Sequence, residues 1–210
     1  MTAGVTTIGE LELADWRREI FALYARVRGC EDSAAAWEMW RRTRDRLFAE
    51  HPQSPLDAAG RAAFAGLPYH PYDPDLRVTA DVDEMEPVEL ELATSTGEPY
   101  RFRRFGAARF ALSGIGLELS LYWLEGYGGG LFLPFADRTS GRSTYGAGRY
   151  LLDTVKGADL GARDGGLVLD FNLAYNPSCS YDPRWACPLA PPPNRLAIPV
   201  RMGERHVETG

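Results

Sequence analysis

The sequence predicts an α+β fold that is mainly β: an antiparallel β-barrel or sandwich-like rolled sheet with an N-terminal helical region packed on it. Three observations predict it. Apolar residues recur at helical spacing over the first third of the chain. From Arg77 onward the pattern changes to short β-prone runs punctuated by glycine. The connections between those runs are too short for the crossover helices that parallel strands need, so pairing is expected to be antiparallel. A chain of 210 residues with 45% hydrophobic and 25% charged side chains can bury a substantial core, which excludes disordered and disulfide-framework classes.

The elements follow in order. Residues 11–66 are expected to be helical. Trp16, Ile20, Leu23 and Val27 share one face of a first helix, and Gly29 is its expected stop. Asp32 or Ser33 can cap a second helix, because their side-chain oxygens satisfy free backbone N–H groups. Trp37, Trp40, Arg44 and Leu47 or Phe48 line its face, and Pro52 and Pro55 end it. Residues 57–65 suit a short third helix. After the connector LPYHPYDPDL, strands are expected at 76–82, 87–94, 99–105, 108–113, 116–124, 130–135, 149–155, 166–174 and 195–201. TSTGEP at 94–99 and LSGIG at 112–116 read as hairpin turns. The helices and the β region, 67–205, are expected to form a single domain over 1–210, because the amphipathic helix faces need an apolar surface to cover. There is no internal repeat.

Charge and leader signals narrow the function classes. The net charge is −6, without the basic field that phosphate binding requires, so a nucleic-acid partner is not expected. No window approaches the ~20 apolar residues of a membrane helix, and the N-terminus lacks a basic region followed by an apolar one. No membrane partner and a cytoplasmic location are therefore expected. Three cysteines, Cys30, Cys179 and Cys187, suit a reducing compartment. Of the 23 basic residues only Lys156 is a lysine, which reads first as GC-rich coding and second as use of bidentate Arg–carboxylate pairing.

Two segments concentrate chemistry. FADRTSGRSTYGAGRYL, 135–151, joins two expected strands and holds Asp137, Thr139, Thr144, Tyr145 and Arg149 among glycines that let backbone N–H groups approach a ligand. It lacks the G-K-[ST] ending of a phosphate-binding loop. The alternative is a long hairpin loop with a salt-bridged base. On an expected strand at 167–173, Leu167, Leu169, Phe171 and Leu173 share one face, and Asp170 and Asn172 the other. Tyr175, Asn176, Cys179, Tyr181, Asp182, Trp185, Cys187 and Asn194 follow at once, a dense polar and aromatic set for a connection. The alternative is a loop that uses these groups to satisfy its own backbone.

Other chemistries are weaker. Cys179 and Cys187 lack C-x-x-C spacing, and zinc would need two more ligands, with only His51, His70 and His206 on offer; no metal site is assigned. A disulfide across the loop is geometrically feasible, but reduced, packed cysteines are favoured. Cys179 as a nucleophile needs a lowered pKa from a neighbour the sequence cannot place. Asp137 and Asp170 could divide acid and base roles, although arginine pairing is the commoner fate of a buried aspartate. The acidic run 81–91 reads as a solvated strand face.

Four stretches make the chain similar to domain-of-unknown-function family 1684 of bacteria and archaea. They are RDRLFAEHPQSPL at 44–56, LPYHPYDP at 67–74, LPFADRTSGRSTYGAGRYL at 133–151 and DFNLAYNPSCSYDPRWACPLAPPPNRLAIPVRMGER at 170–205. The resemblance implies a single domain of about this size and no particular activity or cofactor. Its motifs fall on the same two segments.

The expected function is a small-molecule-binding β domain, with or without catalysis, whose polar pocket opens at one end of the sheet. Its ligand-binding residues would come from Asp137, Thr144, Tyr145, Arg149, Asp170, Asn172, Tyr175, Asn176, Cys179 and Tyr181. Arg149 would offer a charged fork, with Tyr145, Tyr175 and Asn172 orienting the ligand. The alternatives are a non-catalytic interaction or scaffold protein, and a hydrolase or transferase using Cys179 or Asp137/Asp170.

Overall fold

The computed structural model describes residues 9–206. Residues 1–8, on which part of the leader expectation rests, and the tail 207–210 lie outside the described residues. Helix α1 spans Gly9–Gly29, with Ile20, Leu23, Tyr24 and Val27 buried. Helix α2 spans Ser33–Glu50; Asp32 caps it by accepting from the N–H groups of Ala34 and Ala35. The next residues, His51 and Pro52, leave the helix, as the proline requires. Helix α3 is the short turn Ala58–Ala62, capped by Asp57.

Seven antiparallel strands form one open, curled sheet: β1 (Arg77–Leu92), β2 (Tyr100–Leu112), β3 (Ile115–Leu124), β4 (Gly130–Phe135), β5 (Arg149–Asp153), β6 (Ala162–Arg163) and β7 (Gly166–Asp170). Their order across the sheet is β5-β4-β3-β2-β1-β7-β6. Both expected hairpins form; in the second, Leu112 pairs with Ile115 across Ser113 and Gly114, whose positive φ angles match a two-residue hairpin turn. The main core lies between the sheet and the two long helices, built on Leu23, Val27, Trp40, Leu47, Leu121, Leu133 and Phe171 among others. A second cluster gathers Leu92, Phe102, Tyr122, Phe132 and Tyr150. Among the described residues no helix is long and apolar enough to cross a membrane.

The structure corrects several strand boundaries. The expected strands 76–82 and 87–94 are one strand, β1, whose register against β2 shifts between Glu84 and Val88. Pro87 lacks an N–H for the ladder, and the shift absorbs it without ending the strand. Likewise 99–105 and 108–113 fuse into β2, where Phe105 bulges against β3. These bulges bend and twist the strands, which curls the sheet. The expected strand 149–155 stops at Asp153, whose carboxylate accepts from the Lys156 N–H and turns the chain into a 3₁₀ helix, Thr154–Lys156. The expected 166–174 stops at Asp170 for the same reason: its carboxylate accepts from the Asn172 N–H and starts a 3₁₀ turn, Phe171–Leu173. The alternation of faces therefore ends at Asp170. Segment 195–201 is not a strand. It makes one parallel bridge, Ala136 with Arg195, and is interrupted by Pro199, which has no N–H to donate.

Gly148 shows how tightly the loop before β5 is packed. Its φ is +99°, and a Cβ there would lie 2.6 Å from the Phe135 carbonyl and 2.7 Å from the Ala190 methyl. Gly148→Ala is expected to lower stability by about 1–3 kcal/mol, read as a shift in denaturation midpoint at unchanged m-value.

Candidate functional site

The two chemistry-bearing segments meet. Tyr150 and Tyr175 exchange backbone hydrogen bonds of 2.9 and 3.1 Å, the Ala190 N–H donates to the Ala147 carbonyl at 3.2 Å, and the Tyr145 hydroxyl lies 3.7 Å from the Cys179 sulfur. The C-terminal segment 194–206 and helix α2 complete the neighbourhood. Four groupings result, and they differ in what they leave free.

The first is a buried ion pair. Arg149, 1% exposed, reaches Asp137 at 2.8 Å. Its fork also donates to the carbonyls of Val200 (3.0 Å), Glu204 (3.4 Å) and Met202. Asp137 accepts from the Thr139 N–H and hydroxyl, both at 2.6 Å, and from the Val200 N–H at 3.2 Å. Thr144 hydrogen-bonds Thr139 at 2.8 Å. Burial pulls the Arg149 pKa down, opposed by Asp137. Arg149, Asp137 and Thr144 are thus turned onto protein partners.

The second grouping fastens the connector. The side-chain N–H₂ of Asn172 donates to the Asp73 carbonyl and to Asp170, and its oxygen accepts from the Asp73 N–H, at 2.8–2.9 Å. Arg77 reaches Asp170 at 3.2 Å. Burial raises the Asp170 pKa, against the pull of Asn172 and Arg77. Asp137 and Asp170 therefore sit in separate networks, each with its own arginine.

The third involves residues that sequence reasoning left out of the site. Arg44 of α2 reaches Glu204 at 2.8 Å and the Tyr69 hydroxyl at 3.1 Å. Its guanidinium stands 4.9 Å from the Trp40 ring centre, 5.0 Å from Tyr175 and 5.3 Å from Phe48, an aromatic box that supplies cation–π stabilisation. Glu204 is wholly buried and also accepts from the Asn176 N–H at 3.0 Å. Burial pushes its carboxyl up to about 7, with Arg44 opposing. The signal for Arg44 was in the sequence: a charged residue on the apolar stripe of a helix. Nothing local marked Glu204.

The fourth is the cysteine pair. The Cys179 N–H donates to the Cys187 sulfur at 3.3 Å. All three cysteines are free thiols; Cys187 is buried and Cys179 half-buried. The Cys179 thiol is pushed down to about 6, first by its Cys187 neighbour and further by the Tyr145 hydroxyl, against burial. Cys187 is raised by the neighbouring Cys179 and by burial. Tyr181 packs edge-on against Phe48, with ring centres 4.9 Å apart.

One cavity, enclosing about 70 Å³, lies between the helices and this region. Trp16, Tyr24, Trp40, Phe48, Tyr150 and Tyr175 supply aromatic walls, and Arg44, Asp153, Lys156 and Asn176 supply polar groups. Asp153 and Lys156 pair at 3.5 Å at its rim. The Tyr24 hydroxyl and the Asn176 side-chain oxygen are buried without a hydrogen-bond partner among the described residues. Of the expected ligand residues, Tyr175 and Asn176 line this cavity. Asn176 and Tyr181 also line a neighbouring cleft of about 480 Å³ with Arg205 and His206. Among the described residues no group of three or more His, Cys, Asp or Glu side chains is placed to hold a metal ion.

The model of the family described as "Protein of unknown function (DUF1684)" matches residues 62–205. The match includes three of the four stretches identified in the sequence and begins after 44–56. No curated protein matches the chain. Among solved structures, the chain is similar to an uncharacterized protein of Haloarcula marismortui determined by solution NMR. The identity is 38%, the TM-score 0.59, and the match covers 81% of this chain and 92% of that one.

Two outcomes follow from the buried ion pairs. Arg149→Met leaves Asp137 buried and unpaired, so stability in chemical denaturation is expected to fall by about 3–5 kcal/mol. Glu204 gives a pH signature. Its folded pKa, about 7, lies above the ordinary 4.5, so the native state holds a proton there that the unfolded chain has released. This contribution to stability is full below about pH 4.5 and is lost as pH rises through about 7. Denaturation midpoints from pH 4.5 to 8 are expected to show that decline in the native chain, and Glu204→Gln is expected to remove it.

Proposed function

The chain belongs to the DUF1684 family of proteins of unknown function, and we propose that it is a small-molecule-binding domain that holds an acidic group in the aromatic cavity at Arg44. The observation that carries this reading is the Arg44 guanidinium itself. It is fixed in position by Glu204, Tyr69 and three aromatic rings, yet it lines an open cavity. Its Nη1 makes no hydrogen bond to any described residue. A guanidinium fork matches a carboxylate geometrically, which favours that group as the ligand head.

Two further features support the reading. The Tyr24 hydroxyl and the Asn176 oxygen are unpartnered polar atoms in the walls of the same cavity, and each such atom costs roughly 1–3 kcal/mol if left so. The volume admits roughly five water-sized groups, enough for a carboxylate and a short chain, with Lys156 and Asp153 at the rim. In this reading Tyr175 and Asn176 touch ligand. Cys179, Tyr145 and Tyr181 belong to the adjoining wall, and Asp137, Thr144, Arg149, Asp170 and Asn172 position the segments that carry them. A small acidic ligand, no nucleic acid and a cytoplasmic setting are parts of the same proposal.

The test is thermal denaturation and calorimetry against a panel of short mono- and dicarboxylates, beside a native mass spectrum of the purified protein. A ligand at a hundredfold excess over Kd adds about 2.7 kcal/mol, a Tm rise of roughly 5–10 °C at this size. Tyr24→Phe is expected to weaken that binding about tenfold while leaving the unliganded Tm within a few degrees. If no carboxylate moves Tm and the native mass equals the bare chain, the reading is wrong.

A further inference from the structure

We infer that Cys179 and Cys187 form a dithiol site that exchanges with low-molecular-weight disulfides, with Cys179 the attacking thiolate and Cys187 the resolving thiol. The inference does not rest on the cavity reading, since neither sulfur is needed to hold a ligand at Arg44.

Placement is the first argument. The backbone N–H of Cys179 donates to the Cys187 sulfur at 3.3 Å, which sets that sulfur against Cys179 although the residues are eight apart in sequence. That neighbourhood is built, not incidental to a loose loop. Cys187 is fastened to the β1–β2 hairpin: its N–H donates to the Ser95 hydroxyl at 3.2 Å, and its carbonyl accepts from the Ser95 N–H at 3.1 Å. The Ser95 hydroxyl donates in turn to the Trp185 carbonyl at 2.8 Å. Cys179 is held in a 3₁₀ turn, Ser178–Ser180, beneath the Tyr145 hydroxyl.

Asymmetry is the second. Cys179 is partly exposed and Cys187 is buried, so an outside disulfide meets Cys179 first. A negative sulfur at Cys179 is favoured first by its Cys187 neighbour and then by the Tyr145 hydroxyl, and its pKa is lowered to about 6. A thiolate is the attacking species in exchange. Cys187 keeps its proton until its neighbour's charge is consumed.

The chemistry balances. The Cys179 thiolate attacks one sulfur of a disulfide RSSR; the S–S bond breaks, a Cys179–S–S–R bond forms, and RS⁻ leaves and takes up a proton. Neutralising Cys179 removes what held the proton on Cys187. Cys187 then loses it to solvent, attacks the Cys179 sulfur and expels the second RS⁻. Two protein thiols are oxidised to one disulfide and RSSR is reduced to two RSH. An excess of RSH runs the steps backward.

Full-length reduced protein is incubated with oxidised glutathione, quenched with acid and mapped by mass spectrometry. The expected product is an intramolecular Cys179–Cys187 disulfide, with Cys30 unmodified. Cys187→Ser is expected to stop at a glutathione adduct on Cys179, and Cys179→Ser to abolish the reaction. Iodoacetamide kinetics supply a second readout within one molecule. The Cys179 rate should be level above about pH 7, because its thiolate is by then fully formed. The inference fails if no Cys179–Cys187 disulfide forms, if the adduct in Cys187→Ser sits on Cys30, or if the Cys179 rate still climbs steeply above pH 7.

Discussion

The C-terminal segment has almost no ladder of its own, and two buried arginines hold it in place. Arg149 of β5 gathers the carbonyls of Val200, Met202 and Glu204 while balancing its charge on Asp137. Arg44 of α2 takes the Glu204 carboxylate. Asn194 adds a third clasp, pairing with both backbone groups of Ser120 and with the Pro134 carbonyl. Side chains here do what strand pairing does elsewhere in the sheet. Charge-assisted donors are the economical choice, because one guanidinium satisfies several orphan carbonyls that Pro199 and the bends around it leave without partners.

The same clasps shape the surroundings of the site. Glu204 joins α2 to Asn176, so the helix, the 169–196 segment and the C-terminus share one buried carboxylate. Arg44 is thereby held in its aromatic box at the cavity. A buried charge pair contributes little net stability once desolvation is counted, but it penalises every arrangement that leaves either partner alone. That penalty suits a site in which geometry matters more than strength.

The cysteine loop illustrates a different kind of support. Its far end is anchored to the β1–β2 hairpin through Ser95 and through the bridge between Thr94 and Pro188. Two residues eight apart thus become neighbours because a hairpin from elsewhere in the chain fixes one of them. The acidic run in β1, by contrast, is the solvated face that its composition suggested: Asp83 pairs with Arg109 at the surface, and Glu89 and Glu91 face Arg103 and Arg101 across the ladder.

Much of the fold was legible in the sequence, because period and punctuation are local. The stripes of Trp16–Val27 and Trp40–Phe48, the Asp32 cap, the Ser113–Gly114 turn and the antiparallel order all follow from neighbours a few residues away. Boundaries failed where a side chain overruled the pattern: Asp170 and Asp153 end strands by accepting from the backbone ahead of them, and the bulge around Pro87 continues a strand that the pattern breaks. The sequence also singled out the two segments that meet. It could not assign their roles, because an arginine in a glycine-rich loop reads alike whether it faces a ligand or the chain's own carbonyls. Only tertiary structure turned Arg149 inward, set Arg44 opposite a glutamate 160 residues away and brought two thiols together, since contacts between distant residues leave no trace in local spacing.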